Sequence, residues 1–419
     1  MPTTSLKLQR RYTRSDPRGL FPGFTGMPEL EHNRLAAFWR PIVDMADSEV
    51  APMRLRAVQP VSEWLADPVE GRWSWFAMIG VAGLRHQVLR HAGLAEYDCR
   101  EPAGLPPELR TPQWSRLVES IHRFDSLTPY ARALVVFQLA QLSYCQYVFT
   151  LAGLVRPQGD PVHDRYAYEV ARVHARYPGH ADQALGVFAE LATTSSDPLL
   201  ALLACAQGVG HAIRAGGQVA VAREFEGYGE AVLDRGLPDT WHGSLVRSRY
   251  HRALALLRLT ERRVDDMRVA LAAALRHDEE LEPAHRTGTD RTVALENRRI
   301  LLESLIKAAA RAGDDESAER TRAYCAELHG LDPYCVEVRL VIGDGYAAIG
   351  DYGGAARWYS AAGELGTGSG AVGWFRAAQC LEHVGDRGGA LNAMGRCLEL
   401  DHTAVEARDY LVHARTGAA

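Results

Sequence analysis

The chain has 419 residues, 47% hydrophobic and 24% charged, with a formal net charge of −5. That is ample for a large core, and the length alone suggests two or three domains. The small negative balance gives no general pull toward nucleic acid or an anionic membrane, so neither is expected as a partner. Lys7 and Lys307 are the two lysines, and arginine supplies the remaining basic charge. With abundant Ala and 38 glycines, this reads as the composition of a high-GC bacterium.

Residues 1–28 read as a basic flexible arm. Lys7, Arg10, Arg11, Arg14 and Arg18 come first, followed by Pro22, Pro28 and several glycines. Met1 to Arg18 has no apolar core of the kind that marks a secretory signal. Seven cysteines are scattered without a C-x-x-C pair. Together these suggest the reducing cytoplasm. Residues 29–160 read as a helical N-terminal domain with five of the eight tryptophans, Trp39, Trp64, Trp73, Trp75 and Trp114. Helical patterns are expected near 30–46, 51–65, 73–92, 114–123 and 129–154, with an exposed Pro-rich loop from Ala95 to Pro112. The uncharged run Ala133–Val155 is long enough to span a bilayer. Gln138, Gln141 and Gln146 would be costly there, so a buried central helix is expected instead.

From residue 161 to 292 helices come in pairs, read as divergent helical-hairpin repeats. Asp197-Pro198 opens one helix, since Pro suits a first turn, and Gly216-Gly217 stops it. The segment Asp278–Asp290 reads as an acidic loop. Residues 293–419 carry a plainer repeat. Gly343 recurs as Ala378, Gly350-Asp351 as Gly385-Asp386, Ala355 as Ala390, Tyr359 as Met394 and Ala362 as Cys397, always 35 residues apart. Each Gly should end a helix in the left-handed conformation that costs Gly little, and each Asp should cap the next. The alanines leave room for close helix contact. Gly313-Asp314 marks a third copy, and Val405–Ala414 a terminal capping helix.

These residues and this spacing resemble the tetratricopeptide repeat, a pair of antiparallel helices of about 34 residues. Thr367 and His402 stand where that repeat often closes with proline. The resemblance implies an all-α, right-handed helical-repeat solenoid that binds a peptide or protein segment in a concave groove lined by first helices. Carried onto this chain, the groove comprises Ile300, Glu303, Lys307 and Arg311 from one pair, Glu337, Leu340, Asp344 and Ala348 from the next, and Val372, Phe375, Gln379 and His383 from the last. Within each set the spacing of three or four residues makes one stripe per helix. Lys307 and Arg311 are expected to meet acidic groups of a partner, Glu337 and Asp344 basic ones, and Phe375 apolar ones.

No catalytic signature appears and no cofactor is expected. Gly368-x-Gly370-x-x-Gly373 spells the dinucleotide fingerprint, but it joins two repeat helices instead of following a strand. Cys325, His329 and Cys335 could in principle ligate zinc, although Cys325 falls on the repeat's small packing position, which makes metal binding unexpected. His163-Asp164-Arg165 and the stretch from His242 to Arg252 read as polar helix faces. Arg247, Arg249, His251 and Arg252 are the central candidates for an anion. The alternative function is an enzyme, or an enzyme subunit, acting through the Trp- and His-rich N-terminal and central region.

Overall fold

A computed structural model describes residues 102–416, apart from 105–106, 108–111, 142–143, 176–177, 283–287, 312–313, 332–335, 365–369 and 402–403. The arm, the first three helical patterns and four of the five N-terminal tryptophans lie outside the described residues. Among the described residues the chain is all-α, with 16 helices and no strand. They fall into two compact units, one ending at Leu301 and the other starting at Leu302.

The N-terminal unit holds α1 (Pro112–His122), α2 (Pro129–Gln141), α3 (Cys145–Ala152), α4 (Pro161–His174), α5 (Ala181–Thr194), α6 (Pro198–Gly216), α7 (Val219–Asp234), α8 (Trp241–Thr260) and α9 (Val264–Glu279). The next helix, α10 (Gly288–Ala310), carries the boundary at 301–302. The expected single helix over 129–154 is two helices. Tyr144, between them, donates its amide to the Leu139 carbonyl at 2.8 Å. No helix of the described residues is long and apolar enough to cross a membrane. Val135, Val136, Leu139 and Val148 instead pack with Tyr166, Val170 and Val173 of α4 in one core. Within α4, residues 164–171 are all buried, because α2, α3, α5 and α6 all pack against it. First helices also touch one another, α6 packing on α4 and on α8, and so do the second helices α5 and α7.

In the C-terminal unit follow α11 (Asp315–Leu331), α12 (Val336–Ala348), α13 (Tyr352–Glu364), α14 (Gly370–His383), α15 (Arg387–Leu400) and α16 (Val405–Thr416). Each packs on the next from α11 to α16, and α12 also touches α14. The duplicated turns are built alike. Gly350 and Gly385 have φ of 83° and 82°. Asp351 and Asp386 donate their amides to Tyr346 and Leu381, five residues back. Their carboxylates then accept from the Gly354 and Gly389 amides at 2.7 and 2.8 Å, satisfying donors that a helix start leaves open. Asp314 does the same for Ser317 at 2.7 Å.

Packing depends on side chains that are nearly absent. A Cβ on Gly343 would lie 2.5 Å from the Tyr359 ring, and one on Gly363 would lie 2.5 Å from Trp374. Gly345 faces Ile306 of α10 and Cys325 of α11. In the N-terminal unit Gly208 lies under Phe225, and Gly229 under Tyr250. The second copy has Ala378 and Met394 where the first has Gly343 and Tyr359, and both are buried in the same core.

Two substitutions test this packing. Gly343→Ala should destabilise the C-terminal unit by about 1–3 kcal/mol, the usual cost of overpacking, because Tyr359 is fully buried and cannot retreat. The pair Gly343→Ala with Tyr359→Met, which copies the second repeat, should recover much of that loss in urea titrations. At the α8–α9 turn, exposed Arg262 has φ of 64°. Arg262→Gly should raise stability by about 1 kcal/mol, since a left-handed conformation costs a side-chain-bearing residue that much.

Candidate functional site

Most of the predicted groove set is accessible. Lys307, Arg311, Glu337, Ala348 and His383 are exposed, and Glu303, Leu340, Val372, Phe375 and Gln379 are half-buried. Phe375 and Leu340 lean on the core of the C-terminal unit. His383 is also engaged: its ring meets Tyr352 with centroids 3.8 Å apart. Asp344 is held by two neighbouring helices.

One Asp344 oxygen accepts from the Tyr359 hydroxyl and from the Arg376 guanidinium, each at 2.6 Å. The guanidinium carbon lies 5.7 Å from the centre of the Tyr359 ring. Asp344 is on α12, Tyr359 on α13 and Arg376 on α14, so one carboxylate ties three helices. Burial raises the Tyr359 hydroxyl pKa well above its ordinary value, and Asp344 adds to the rise. Tyr359 therefore stays a neutral donor. The Asp344 and Arg376 side chains are 38% and 24% exposed, so both still reach solvent. Arg376 of the same chain thus already pairs with the carboxylate that was expected to meet a partner's basic group. Arg376 was not singled out from sequence, although it sits one position from Phe375 on the same helix.

The central candidates turn inward. Asp164 is fully buried and Arg165 is 7% exposed, so they are not part of a solvated face. An Asp164 oxygen accepts from the Gln158 and Gly159 amides at 2.9 and 3.1 Å. Glu169, also buried, accepts from Arg172 at 2.7 Å. Arg249 is 6% exposed. Burial pushes its pKa down to about 10, against the opposing pull of Glu296 and Tyr168. Arg247 reaches the Leu237 carbonyl at 3.2 Å, and His251 lies against His277. Asp278, expected in an acidic loop, is 4% exposed on α9. It accepts from Asn297 at 2.7 Å and pairs with Arg298 at 3.2 Å, joining α9 to α10.

Cys325 is buried, and burial pushes its thiol up to about 12, which leaves it protonated and a poor metal ligand. Among the described residues no three His, Cys, Asp or Glu side chains are placed to hold a metal ion. Gly370 and Gly373 have a packing role. A Cβ on Gly373 would lie 2.6 Å from the Tyr359 carbonyl oxygen, so these glycines let α14 approach α13.

Comparison with known proteins adds no relative: no family model matches this chain, and no curated protein is similar to it.

Removing the shared carboxylate should expose its role. Asp344→Ala leaves a buried hydroxyl without its acceptor and should cost about 1–3 kcal/mol, the usual penalty for an unsatisfied buried polar group. Tyr359→Phe with Asp344→Ala should cost less than the two losses added. A double-mutant cycle in urea reads that coupling.

Proposed function

We propose that the protein is a helical-repeat scaffold that binds a peptide or protein segment along the first-helix face of its C-terminal unit. The observation that carries this reading is the half-exposed Asp344–Arg376 pair beside Phe375. It offers an oriented donor, an oriented acceptor and an apolar ring within one stripe. The 35-residue duplication, with its matched Gly-Asp turns and close helix contacts, supports a right-handed tetratricopeptide-like solenoid, whose first helices line a groove. A cytoplasmic setting fits the described cysteines, all of which are buried. The partner is read as peptide or protein, not nucleic acid or membrane, because the groove set carries both charge signs with an aromatic.

Capture from source lysate, followed by titration of the captured partner, tests the reading. Phe375→Ala and Arg376→Ala should each weaken binding about tenfold or more, as aromatic and arginine anchors usually do, with helicity unchanged. Lys307→Glu should reduce the dependence of binding on salt, since screening acts on exposed pairs. Arg357→Ala, on the second helix of its pair, should do little. Normal binding by the first-helix variants, with loss at Arg357, would move the site to the opposite face and overturn this assignment.

A further inference from the structure

Among the described residues of the N-terminal unit lie two histidine pairs, each joining the two helices of a hairpin. The first is at the end of α4. His174 is 4% exposed, and its Nε2 lies 3.1 Å from the Gly153 carbonyl. A carbonyl only accepts, so Nε2 carries the proton and Nδ1 of the neutral ring is bare. That Nδ1 is buried with no hydrogen-bond partner. The His180 ring stands edge-on at 5.2 Å, and Phe149 packs on both rings, at 4.5 and 4.7 Å. A second proton on His174 would meet no acceptor and would face the His180 ring.

The other pair bridges α8 and α9. His251 and His277 stack with centroids 5.7 Å apart and planes 14° from parallel. His277 Nδ1 lies 3.1 Å from a Glu280 oxygen that also accepts from Ser244 at 2.6 Å. Glu280 therefore anchors the His277 ring, and charge on that ring opposes charge on His251. Arg247 of α8 and Arg276 of α9 also oppose charge there. Among the described residues His277, Arg276 and Arg247 oppose charge on His251, and His180 opposes it on His174.

We propose that the two histidine pairs make the N-terminal unit acid-responsive, so that mild acidification loosens the α4–α5 and α8–α9 hairpins while the packing of the C-terminal unit persists. Burial is the main cause that lowers the pKa of both rings, His174 below its usual range and His251 to about 4. In the unfolded chain a histidine titrates near 6.5, about as in a free peptide. Between the two values the unfolded state holds more protons. The stabilisation is therefore complete above about pH 6.5 and is lost progressively as the pH falls toward 4.

Hydrogen exchange read by mass spectrometry tests this on the full chain at pH 7.5 and 5.5, with intrinsic rates corrected. Protection in peptides from α4–α5 and α8–α9 should fall about tenfold or more at pH 5.5, as one pKa unit per group implies. Peptides from α12–α15 should change less than about twofold, well within one such unit. In the variant His174→Gln/His251→Phe the first loss should largely disappear. His251→Phe alone keeps a stacked ring without a proton site and reads the α8–α9 pair even if His174→Gln weakens the fold. Unchanged protection in the wild-type N-terminal unit overturns the proposal. So does a loss in His251→Phe at α8–α9 equal to that of the wild type, or an equal loss in both units.

Discussion

The structure depends on helices that approach until only a hydrogen atom or a methyl group fits between them. Tyr359 and Trp374 in the C-terminal unit, and Phe225 and Tyr250 in the N-terminal unit, each lie over a glycine of a neighbouring helix. Glycine inside a helix costs about 1 kcal/mol relative to alanine. Burying a large apolar side chain returns about 1.5–3 kcal/mol. The exchange is favourable only while the ring is seated, so local helix stability is tied to the neighbouring helix. That coupling suits a stack in which no hairpin can bury its own apolar face.

Close approach also dictates where charge must go. Helix faces that would be solvated in a thinner structure are covered, and their polar groups find partners inside. Asp278, Asn297 and Ser248 form one such network across α8, α9 and α10. Glu261, at the α8–α9 turn, is another case: burial raises its pKa, but hydrogen bonds from Arg223 and Arg258 outweigh that and hold it below the usual carboxylate range. Asp344 is partnered in the same way and still reaches solvent. Its partners hold it in place, which preorganises a donor and an acceptor on α12 and α14.

Much of the fold was legible because turn chemistry is local. Gly350-Asp351 and Gly385-Asp386 specify a left-handed stop followed by a cap, and both behave so in the structure. Asp197-Pro198 likewise opens α6, with the Asp197 carboxylate on the Leu199 amide. The break after Gln141 was not legible, since no Gly or Pro marks it and the run stays apolar on both sides. The burial of Asp164, Arg165 and Arg249 was hidden for a different reason. Periodicity along one helix shows which residues share a face, but not that α4 is covered on every side. Arg376 was missed because the groove stripe was drawn through Phe375, and a helix stripe is wide enough to include its neighbour. The pairing that fixes Asp344 needed the positions of three helices.

The most direct measurement is site-specific photocrosslinking in source lysate, with a photoreactive aromatic residue placed at Phe375, Gln379 or Arg357 in separate variants. The account predicts a common crosslinked partner from positions 375 and 379, and none from 357. A partner captured from 357 alone would contradict the central claim that the first-helix face of the C-terminal unit is the binding surface.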